Sequence, residues 1–569
     1  MDASKKTIND IFNGNRILEI PFFQRAYVWG EKQWERLLED MEAVSKTNKP
    51  YFLGSVILKQ QPTSSASKVG DIRTLIDGQQ RLTTLNIFFK VLCLKSGKNA
   101  MFDRTFRLMT DELALSHSHN DIEKFTEVLS VNDLADLPGE DNITKCYNYF
   151  KKSINVDNLD FQKILANILF VGIDLDPNED EQQIFDTINS LGVTLTTAEL
   201  LKNYFFNRDI KLYEKYWKNL FEKDEDVKKY WDREITAGRV KRTFIDLFFD
   251  AFLQIKIQDK SFGVKTEDKI AYARGEHLFE SYKDFIKIYL DGNNNTLLDE
   301  IKEYAEIFAK NFDYEIINRE ISSSNHIERL NAIIFGLDNS TLISYVLYVL
   351  KNVTNTSEQD NIFQFLESYI MRRMVAHTTN KNYNQLFTER FIGNKILTVQ
   401  AIKEFIEKST DTSTFIPTNE EVLAGFNKSI LINKQSAGIL YLLESKHRKS
   451  HMHSTALLGI SKYSLEHLMP KNWSKNWGTL PTQEDTITRN RKLLTLGNLT
   501  IITQSLNSSI RDSDWQTKKK GKGDKKGLEE YASGLETMNK YLTLTVWDEN
   551  TINSRAKDLY EIAEKAWTI

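Results

Sequence analysis

Cysteine and proline are scarce in this chain, and long hydrophobic runs are lacking. The 569 residues include only 2 cysteines, 8 prolines and 24 glycines. Two cysteines exclude a cysteine-based zinc cluster, and Cys93 and Cys146 lie in apolar helical patterns that predict core thiols in a reducing cytoplasm. So few prolines and glycines favour long helices. The longest apolar run, residues 342–350, is far shorter than the roughly 20 residues that cross a bilayer.

An excess of charge of one sign is lacking as well. The formal net charge is -4, which does not indicate a polyanion binder, so any contact with DNA must come from local basic patches. Nothing at the N-terminus resembles a secretion signal. The chain does contain 41% hydrophobic and 11% aromatic residues, which is typical of an ordered globular protein. We therefore expect a soluble, cytoplasmic protein of about two to four domains, with no membrane partner.

The clearest chemical pattern lies in residues 463–507. A short strand is predicted to end at Glu466 and His467, and β-branched residues predict a second strand at 497–502. Asn507 follows, where a helix could begin. An imidazole with a pKa near neutrality can activate water for phosphodiester cleavage. Carboxylate and amide oxygens suit Mg²⁺ better than zinc. Taken singly, these groups could equally be surface and turn residues.

In combination, these residues resemble the HNH, or ββα-metal, nuclease motif. The acid, the histidine and the later proline of the family's first strand are matched by residues 466–470, and its central asparagine by Asn498. The last ligand position of the family falls on Asn507. The resemblance implies His467 as the catalytic base and Glu466 and Asn507 as ligands for Mg²⁺ or Mn²⁺. It implies that Asn498 serves catalysis by orienting the His467 ring or its loop.

A second pattern joins a strand to a helix. The strand predicted at 72–76 runs into a polar string at the start of an apolar helix, and that string is Asp77, Gly78, Gln79, Gln80 and Arg81. Free N–H groups and the helix dipole attract anions to a helix N-terminus, and glycine allows a ligand to approach the backbone. The string therefore predicts a phosphate site. The alternative is a turn with an N-terminal cap.

Upstream of that strand, hydrogen-bonding, cationic and aromatic groups lie within six residues, and they are Gln24, Arg25, Tyr27 and Trp29. Such a set could clamp a phosphate or stack on a base, and Tyr27 is predicted to contact DNA. The alternative places the aromatic rings in the core.

Three segments, 20–29, 76–85 and 184–195, are similar to the N-terminal half of the GmrSD family. These proteins are bacterial modification-dependent, or type IV, restriction endonucleases. Their N-terminal half resembles the ParB/sulfiredoxin-like fold and is associated with nucleotide binding and hydrolysis. The resemblance implies a nucleoside triphosphate, GTP or another NTP, bound by Gln24, Arg25 and the string 77–81.

A lysine-rich segment follows the candidate nuclease motif. Six lysines lie within residues 518–526, and they form the strongest local positive charge in the chain. This segment predicts contacts to the DNA backbone, with Lys518 as the candidate residue. A solvated, flexible loop is the alternative.

These patterns predict an α+β, predominantly helical fold. We expect a small ParB/sulfiredoxin-like α/β domain at 1–210, a helical region at 211–420, and a ββα-metal HNH domain embedded in helices at 421–569. The implied function is an NTP-dependent or NTP-regulated, Mg²⁺-dependent endonuclease that cuts double-stranded, modified phage DNA in antiviral defence. A homodimer is possible.

Two other functions remain open. Glu466 and Asn507 stand where Asp and His are commoner in HNH proteins, so a nucleotide-binding regulatory protein with an inactive HNH domain is one alternative. A ribonuclease is the other.

Overall fold

The computed structural model describes residues 2–21, 24, 26–61, 71–117, 121–176, 196–206, 209–237, 240–411, 413–448, 457–532 and 534–569. The chain forms two compact units, Met1–Trp217 and Lys218–Ile569. The boundary predicted at 210 lies close to the division between the two units, whereas the boundary predicted at 420 lies inside the second unit. Within the described ranges, none of the helices combines the length and the apolar character needed to cross a bilayer.

A mixed six-stranded sheet organises the first unit. Its strands are β1 Asp2–Thr7, β2 Arg16–Glu19, β3 Tyr51–Gln60, β4 Asp71–Asp77, β5 Leu115–Ser116 and β6 Ile168–Leu175. They lie in the order β1-β6-β3-β4-β2-β5. The β3–β6, β2–β4 and β2–β5 pairs are parallel, and the β1–β6 and β3–β4 pairs are antiparallel. The central strands β3 and β4 are therefore adjacent, and β4 leads into the predicted phosphate site while β3 runs beside it.

Helices pack around this sheet. They are α1 Ile8–Ile11, α2 Glu31–Thr47, α3 Gln79–Ser96, α4 Asn99–Phe106, α5 Ile122–Ser130, α6 Asn142–Ser153, α7 Phe161–Asn167, α8 Thr197–Phe206 and α9 Ile210–Tyr213. Helix α3 is apolar on most of its surface and lies in the centre of the core, where Leu85, Phe88 and Phe89 are fully buried. The start of α3 is fixed by this packing, which holds the turn before it in place.

The second unit is mainly helical. Its helices are α10 Asn219–Phe221, α11 Glu225–Trp231, α12 Phe244–Lys256, α13 Thr266–Tyr272, α14 Leu278–Tyr289, α15 Asn295–Asn311, α16 His326–Gly336, α17 Ile343–Asn352, α18 Thr356–Val375, α19 Tyr383–Gln385, α20 Val399–Lys408, α21 Asn419–Lys428, α22 Asn433–His447, α23 Gln483–Lys492, α24 Gln504–Ile510, α25 Trp515–Lys520, α26 Leu528–Tyr531, α27 Glu536–Leu542 and α28 Glu549–Ala566. Its strands form three antiparallel pairs, β7 Glu234–Ala237 with β8 Val240–Thr243, β9 Tyr463–His467 with β10 Leu499–Thr503, and β11 Gly521–Lys522 with β12 Lys525–Lys526.

Buried arginines explain why no unit boundary falls at 420. Arg329 donates to both carboxylate oxygens of Glu367 and, at 3.0 Å, to the carbonyl oxygen of Leu442. Arg372 donates to the carbonyl oxygens of Pro417 and Trp567. A buried guanidinium needs several acceptors, and here they come from both sides of residue 420. The helical middle and the C-terminal segment therefore share one core.

Candidate functional site

The pair β9–β10 and helix α24 form a continuous strand–strand–helix arrangement around the predicted nuclease residues. The strands are antiparallel, with Leu499 opposite His467. Asn498 immediately precedes β10, and Asn507 lies in the helix that follows it. The predicted order of two strands and a helix is therefore present, and Glu466 and His467 are the last two residues of β9.

Glu466 is paired with a buried cation. Its side chain is almost completely buried, and Lys518 is fully buried. The Lys518 ammonium donates to Glu466 Oε1 in close contact and, at 2.6 Å, to the His467 carbonyl oxygen. Burial raises the pKa of Glu466, and the charge of Lys518 opposes this rise. Burial lowers the pKa of Lys518, and the charge of Glu466 opposes this fall.

The DNA contact predicted at Lys518 is therefore corrected. Asp514 caps α25 by accepting the N–H groups of Gln516 and Thr517. Lys518 follows within the first turn and a half, on the side of the helix that faces β9. A fully buried ammonium cannot contact a DNA backbone, and this charge acts on Glu466 instead.

The surroundings of His467 disfavour the charged form of its ring. Burial, together with the nearby ammonium groups of Lys471 and Lys518, lowers its pKa to about 4. This shift favours the neutral ring, which is the form that can accept a proton, but it places the pKa below the near-neutral range that suits a general base best.

Asn507 is hydrogen-bonded to β9, the strand that carries Glu466. Its Nδ2 donates to the Leu465 carbonyl oxygen at 3.0 Å and to Ser464 Oγ at 3.2 Å. Ser464 and Glu466 project from the same face of β9, because side chains alternate along a strand. The amide nitrogen of Asn507 thus donates its hydrogen bonds to β9. The amide oxygen is the atom of this side chain that suits a hard cation.

This donor set fits an oxygen-coordinated ion. Among the residues that the structure describes, no group of three or more His, Cys, Asp or Glu side chains could hold a metal. An ion at Glu466 would therefore also need amide, water or phosphate oxygens. Mg²⁺ takes such mixed sets, because it keeps several waters and uses substrate phosphates as ligands.

Asn498 is a positioning residue. Its side chain is fully buried. Its Oδ1 accepts hydrogen bonds of 2.9 Å from the Met469 N–H and from Trp547 Nε1. Its Nδ2 donates to the carbonyl oxygens of Met469 at 2.9 Å and Leu493 at 3.0 Å. These bonds fix the loop that follows His467, as one of its two predicted roles requires.

A second support comes from helix α28. Arg555 is fully buried, and its Nη1 donates to the carbonyl oxygens of Leu496, Gly497 and Leu499. The three carbonyls flank Asn498, so the guanidinium fixes the backbone on both sides of it. Arg555 thus adds a buried donor to the carbonyl groups at the turn before β10.

In the first unit, the turn between β4 and α3 requires glycine. Gly78 has a φ of +107°, and a Cβ there would lie 3.0 Å from Val56 Cγ2. Gly78 also occupies the cap position of α3, which has no side-chain cap. Because glycine has no side chain, a ligand could approach the backbone at the start of this long helix closely, as an anion site at a helix N-terminus requires.

Three polar side chains surround this turn. Asp77 Oδ2 accepts hydrogen bonds from Ser55 Oγ at 2.6 Å and from Arg81 Nη2 at 2.9 Å. Arg81 Nη2 also donates to the Ser55 carbonyl oxygen at 2.7 Å. Gly54 leaves room for the guanidinium, since a Cβ there would lie 3.3 Å from it. Asp77 and Arg81 are thus brought together, and both side chains are about a quarter exposed.

The glutamines of the predicted site hold the chain rather than face the turn. Gln80 Oε1 accepts from the N–H groups of Val28 and Trp29. Gln24 Nε2 donates to the Ile76 carbonyl oxygen at 2.9 Å. Gln79 is buried. Arg25, another residue of the predicted site, lies outside the described residues, as does the segment 184–195 that is similar to the family.

The DNA contact predicted at Tyr27 is also corrected. Its side chain is buried, and its hydroxyl lies 2.6 Å from Thr84 Oγ1 and accepts from Trp34 Nε1 at 2.7 Å. Burial raises the pKa of the Tyr27 phenol well above its ordinary value. The ring belongs to the core, which is the alternative that the sequence left open for the aromatic residues of this segment.

Comparison with protein families agrees with both halves of this description. Residues 8–206 match the N-terminal domain of the GmrSD restriction endonuclease, and residues 416–562 match the C-terminal domain of GmrSD restriction endonucleases. Together, the two segments cover more than half of the chain. The chain belongs to the GmrSD-type restriction endonucleases. It is thus a nuclease of the type IV restriction class, and its substrate is DNA. Among curated proteins, no relative matches it.

Several residues of this GmrSD-type endonuclease are absent from the sequence-based sites. Ser55 had a local signal, because a Gly-Ser pair interrupts an otherwise apolar strand. Trp547 and Arg555 had none, since each contacts the nuclease loop from a distant helix or loop. Asp512 accepts a hydrogen bond of 3.0 Å from Asn472, and its charge acts on both Glu466 and Lys518.

Proposed function

We propose that the second unit of this endonuclease hydrolyses DNA with Mg²⁺ or Mn²⁺, with His467 as the general base and Glu466 and Asn507 as the ion's ligands. The observation that carries this proposal is the hydrogen bonding of Asn507 to the same strand that ends in Glu466 and His467. A base and two oxygen ligands are thus held by one short pair of strands.

Each residue has a distinct task in this proposal. The neutral His467 ring accepts a proton from the attacking water. Glu466 and Asn507 hold the ion through oxygen atoms. When bound, the ion supplies electrostatic stabilisation of the phosphate and of the leaving oxygen. Asn498 keeps the loop after His467 in one conformation, so the ring is presented at a fixed place.

We propose that the first unit binds a nucleoside triphosphate, GTP or another NTP, at the start of α3. The N-terminus of α3 would bind phosphate through backbone N–H groups, with Arg81 as the adjacent cation. Asp77 and Ser55 would hold Arg81 in place or bind the accompanying ion. Nucleotide hydrolysis there would regulate cleavage by the second unit, and the proposed target is phage DNA with modified bases.

DNA cleavage tests the nuclease proposal. Modified and unmodified phage DNA are incubated with the full chain and Mg²⁺, with and without each NTP. His467→Ala should reduce cleavage by about 10²–10⁴-fold, the contribution of a general base. The matched control is His447→Ala, because His447 is an exposed histidine at the end of α22. Equal activity of the two variants would reject His467 as the base, and cleavage of structured RNA alone would favour a ribonuclease.

Nucleotide binding is tested separately. Arg81→Met should weaken binding of a labelled NTP by at least tenfold, since a charge-assisted contact contributes about 1.5–3 kcal/mol. The control is Arg104→Met, which removes an exposed guanidinium from α4. If wild-type protein binds no NTP while it cuts DNA, the nucleotide proposal fails and the nuclease proposal stands.

A further inference from the structure

We infer that Lys518 makes the binding of the divalent ion depend on DNA, so that the ion and a DNA phosphate bind to the nuclease site together. This inference rests on the proposed function, because it concerns the ion that Glu466 and Asn507 would hold. It assigns a role to a residue that contacts neither water nor DNA. Lys518 is a positioning residue that also sets the charge of the site.

The central charges of the site cancel. The buried carboxylate of Glu466 is matched by the buried ammonium of Lys518. Asn507, the other proposed ligand, carries no charge. A carboxylate that is neutralised by a neighbouring ammonium group offers a divalent cation little Coulombic attraction.

Lys518 is held too firmly to leave. Its stem is fully buried, and its ammonium has a second acceptor, the His467 carbonyl oxygen at 2.6 Å. That carbonyl belongs to β9, whose backbone is fixed by pairing with β10. An ion at Glu466 therefore has to bind beside an ammonium group that already occupies Oε1.

A DNA phosphate supplies the missing charge. Mg²⁺ loses its water reluctantly and is usually bound by one or two carboxylates together with substrate phosphates. Here, the carboxylate proposed as a ligand of the ion is already paired with Lys518. The phosphodiester group contributes one negative charge and further oxygen ligands. Linkage requires that DNA tighten ion binding by the same factor as the ion tightens DNA binding.

The coupling is measured by binding rather than by activity. In the His467→Ala background, which prevents cleavage, the Kd of Mn²⁺ is determined by electron paramagnetic resonance with and without a short DNA duplex. The Kd of the duplex is determined by fluorescence anisotropy with and without Mn²⁺. We expect DNA to tighten Mn²⁺ binding by about tenfold or more, within the usual range of coupling between sites, and Mn²⁺ to tighten DNA binding equally.

Three variants test whether Lys518 causes this coupling. Lys518→Met should tighten Mn²⁺ binding in the absence of DNA and reduce the coupling factor severalfold, because the competing positive charge is gone. Lys518→Arg keeps the charge and should keep the coupling. Lys520→Met removes an exposed lysine from the same helix, so it should leave Mn²⁺ binding without DNA unchanged.

Two results would overturn the inference. One is an equal Kd of Mn²⁺ with and without DNA in the His467→Ala protein. The other is an unchanged coupling factor in Lys518→Met. If Lys518→Met does not fold, the Mn²⁺ and DNA titrations of the His467→Ala protein and of Lys518→Arg still decide the matter. Cleavage of the same duplex by the protein with His467 intact separates the two proposals. If this protein does not cut the duplex, the proposed function is rejected. If it cuts the duplex but shows no coupling between Mn²⁺ and DNA binding, only this inference is rejected.

Discussion

The two candidate sites each contain a carboxylate paired with a cation, but the pairs differ in their exposure to water. Glu466 and Lys518 have side-chain exposures of 7% and 0%, whereas Asp77 and Arg81 have exposures of 27% and 23%. A buried pair has given up its water and needs each partner to stay charged, whereas in a partly exposed pair a group can exchange its partner for water or a ligand. The nuclease site is thus fixed before a ligand arrives, while the site at α3 can rearrange around one.

The supports of the two sites differ in the same way. Asn498 and Arg555 hold the nuclease strands through buried side-chain bonds to the backbone. The turn at Gly78 relies instead on backbone conformation and on the start of a buried helix. We therefore expect substitutions at the first site to cost stability and activity together. Substitutions at the site at α3 should change activity with little loss of stability.

The largest effect on stability should come from the buried pair. Lys518→Met should lower the free energy of unfolding of the second unit by about 3 kcal/mol, because breaking a buried pair costs about 3–5 kcal/mol and protonation of Glu466 relieves part of it. The double variant Lys518→Met/Glu466→Gln should recover most of this loss. Denaturant unfolding of the full chain measures both, and additive losses in the double variant would contradict the coupling of the pair.

A loss nearly as large is expected at Asn498. Asn498→Ala leaves buried groups of Met469, Leu493 and Trp547 without partners, which should cost about 2–4 kcal/mol. Cleavage should fall as well, although Glu466, His467 and Asn507 are all retained. The control is Asn476→Ala, since Asn476 is exposed and makes one bond to the Asp512 carbonyl oxygen. An Asn498→Ala protein with full cleavage activity would show that the loop needs no such support.

An intermediate effect is expected at Gly78. Gly78→Ala should lower stability by about 2 kcal/mol, because a strained backbone residue costs about 1–3 kcal/mol and its Cβ would lie 3.0 Å from Val56 Cγ2. Gly97→Ala is the matched control, with a φ of +66° and no atom within 4 Å of its Cβ. It should cost about 1 kcal/mol. Equal losses would mean that the contact with Val56 is irrelevant.

The smallest effect on stability is expected at Asp77. Asp77→Asn removes the negative charge of a partly exposed pair. This should change the free energy of unfolding by about 0–1 kcal/mol. NTP binding should nevertheless weaken, because Arg81 loses the group that orients it. Thermal unfolding and NTP titration of the same preparation test this separation. A stability loss as large as that of Lys518→Met would remove the contrast between the two sites.

Regular patterns made the elements predictable from sequence. Helix α2, Glu31–Thr47, has apolar residues that recur at helical spacing, a pattern that predicts a helix from sequence. The strand expected at 72–76 is β4, Asp71–Asp77. The strands around Glu466 and Asn498 were also predicted, since a proline and β-branched residues mark their ends and interiors. In each case, the deciding information lies within a dozen neighbouring residues.

The environment of single side chains was not predictable in this way. Lys518 was expected at the surface because five other lysines surround it in sequence, yet its partner Glu466 precedes it by 52 residues. Tyr27 was expected to contact DNA, but Thr84 and Trp34 enclose its hydroxyl. Burial of a polar group depends on partners that only the tertiary structure brings together.

The position of Arg555 along the chain has a consequence for protein synthesis. This guanidinium lies 56 residues after Leu499, whose carbonyl oxygen it binds at 2.7 Å. A ribosome releases strands β9 and β10 well before it releases helix α28. A nascent or truncated polypeptide without α28 therefore lacks the guanidinium that binds the carbonyl oxygens of Leu496, Gly497 and Leu499. The backbone around Asn498 gains this support only after α28 has been synthesised.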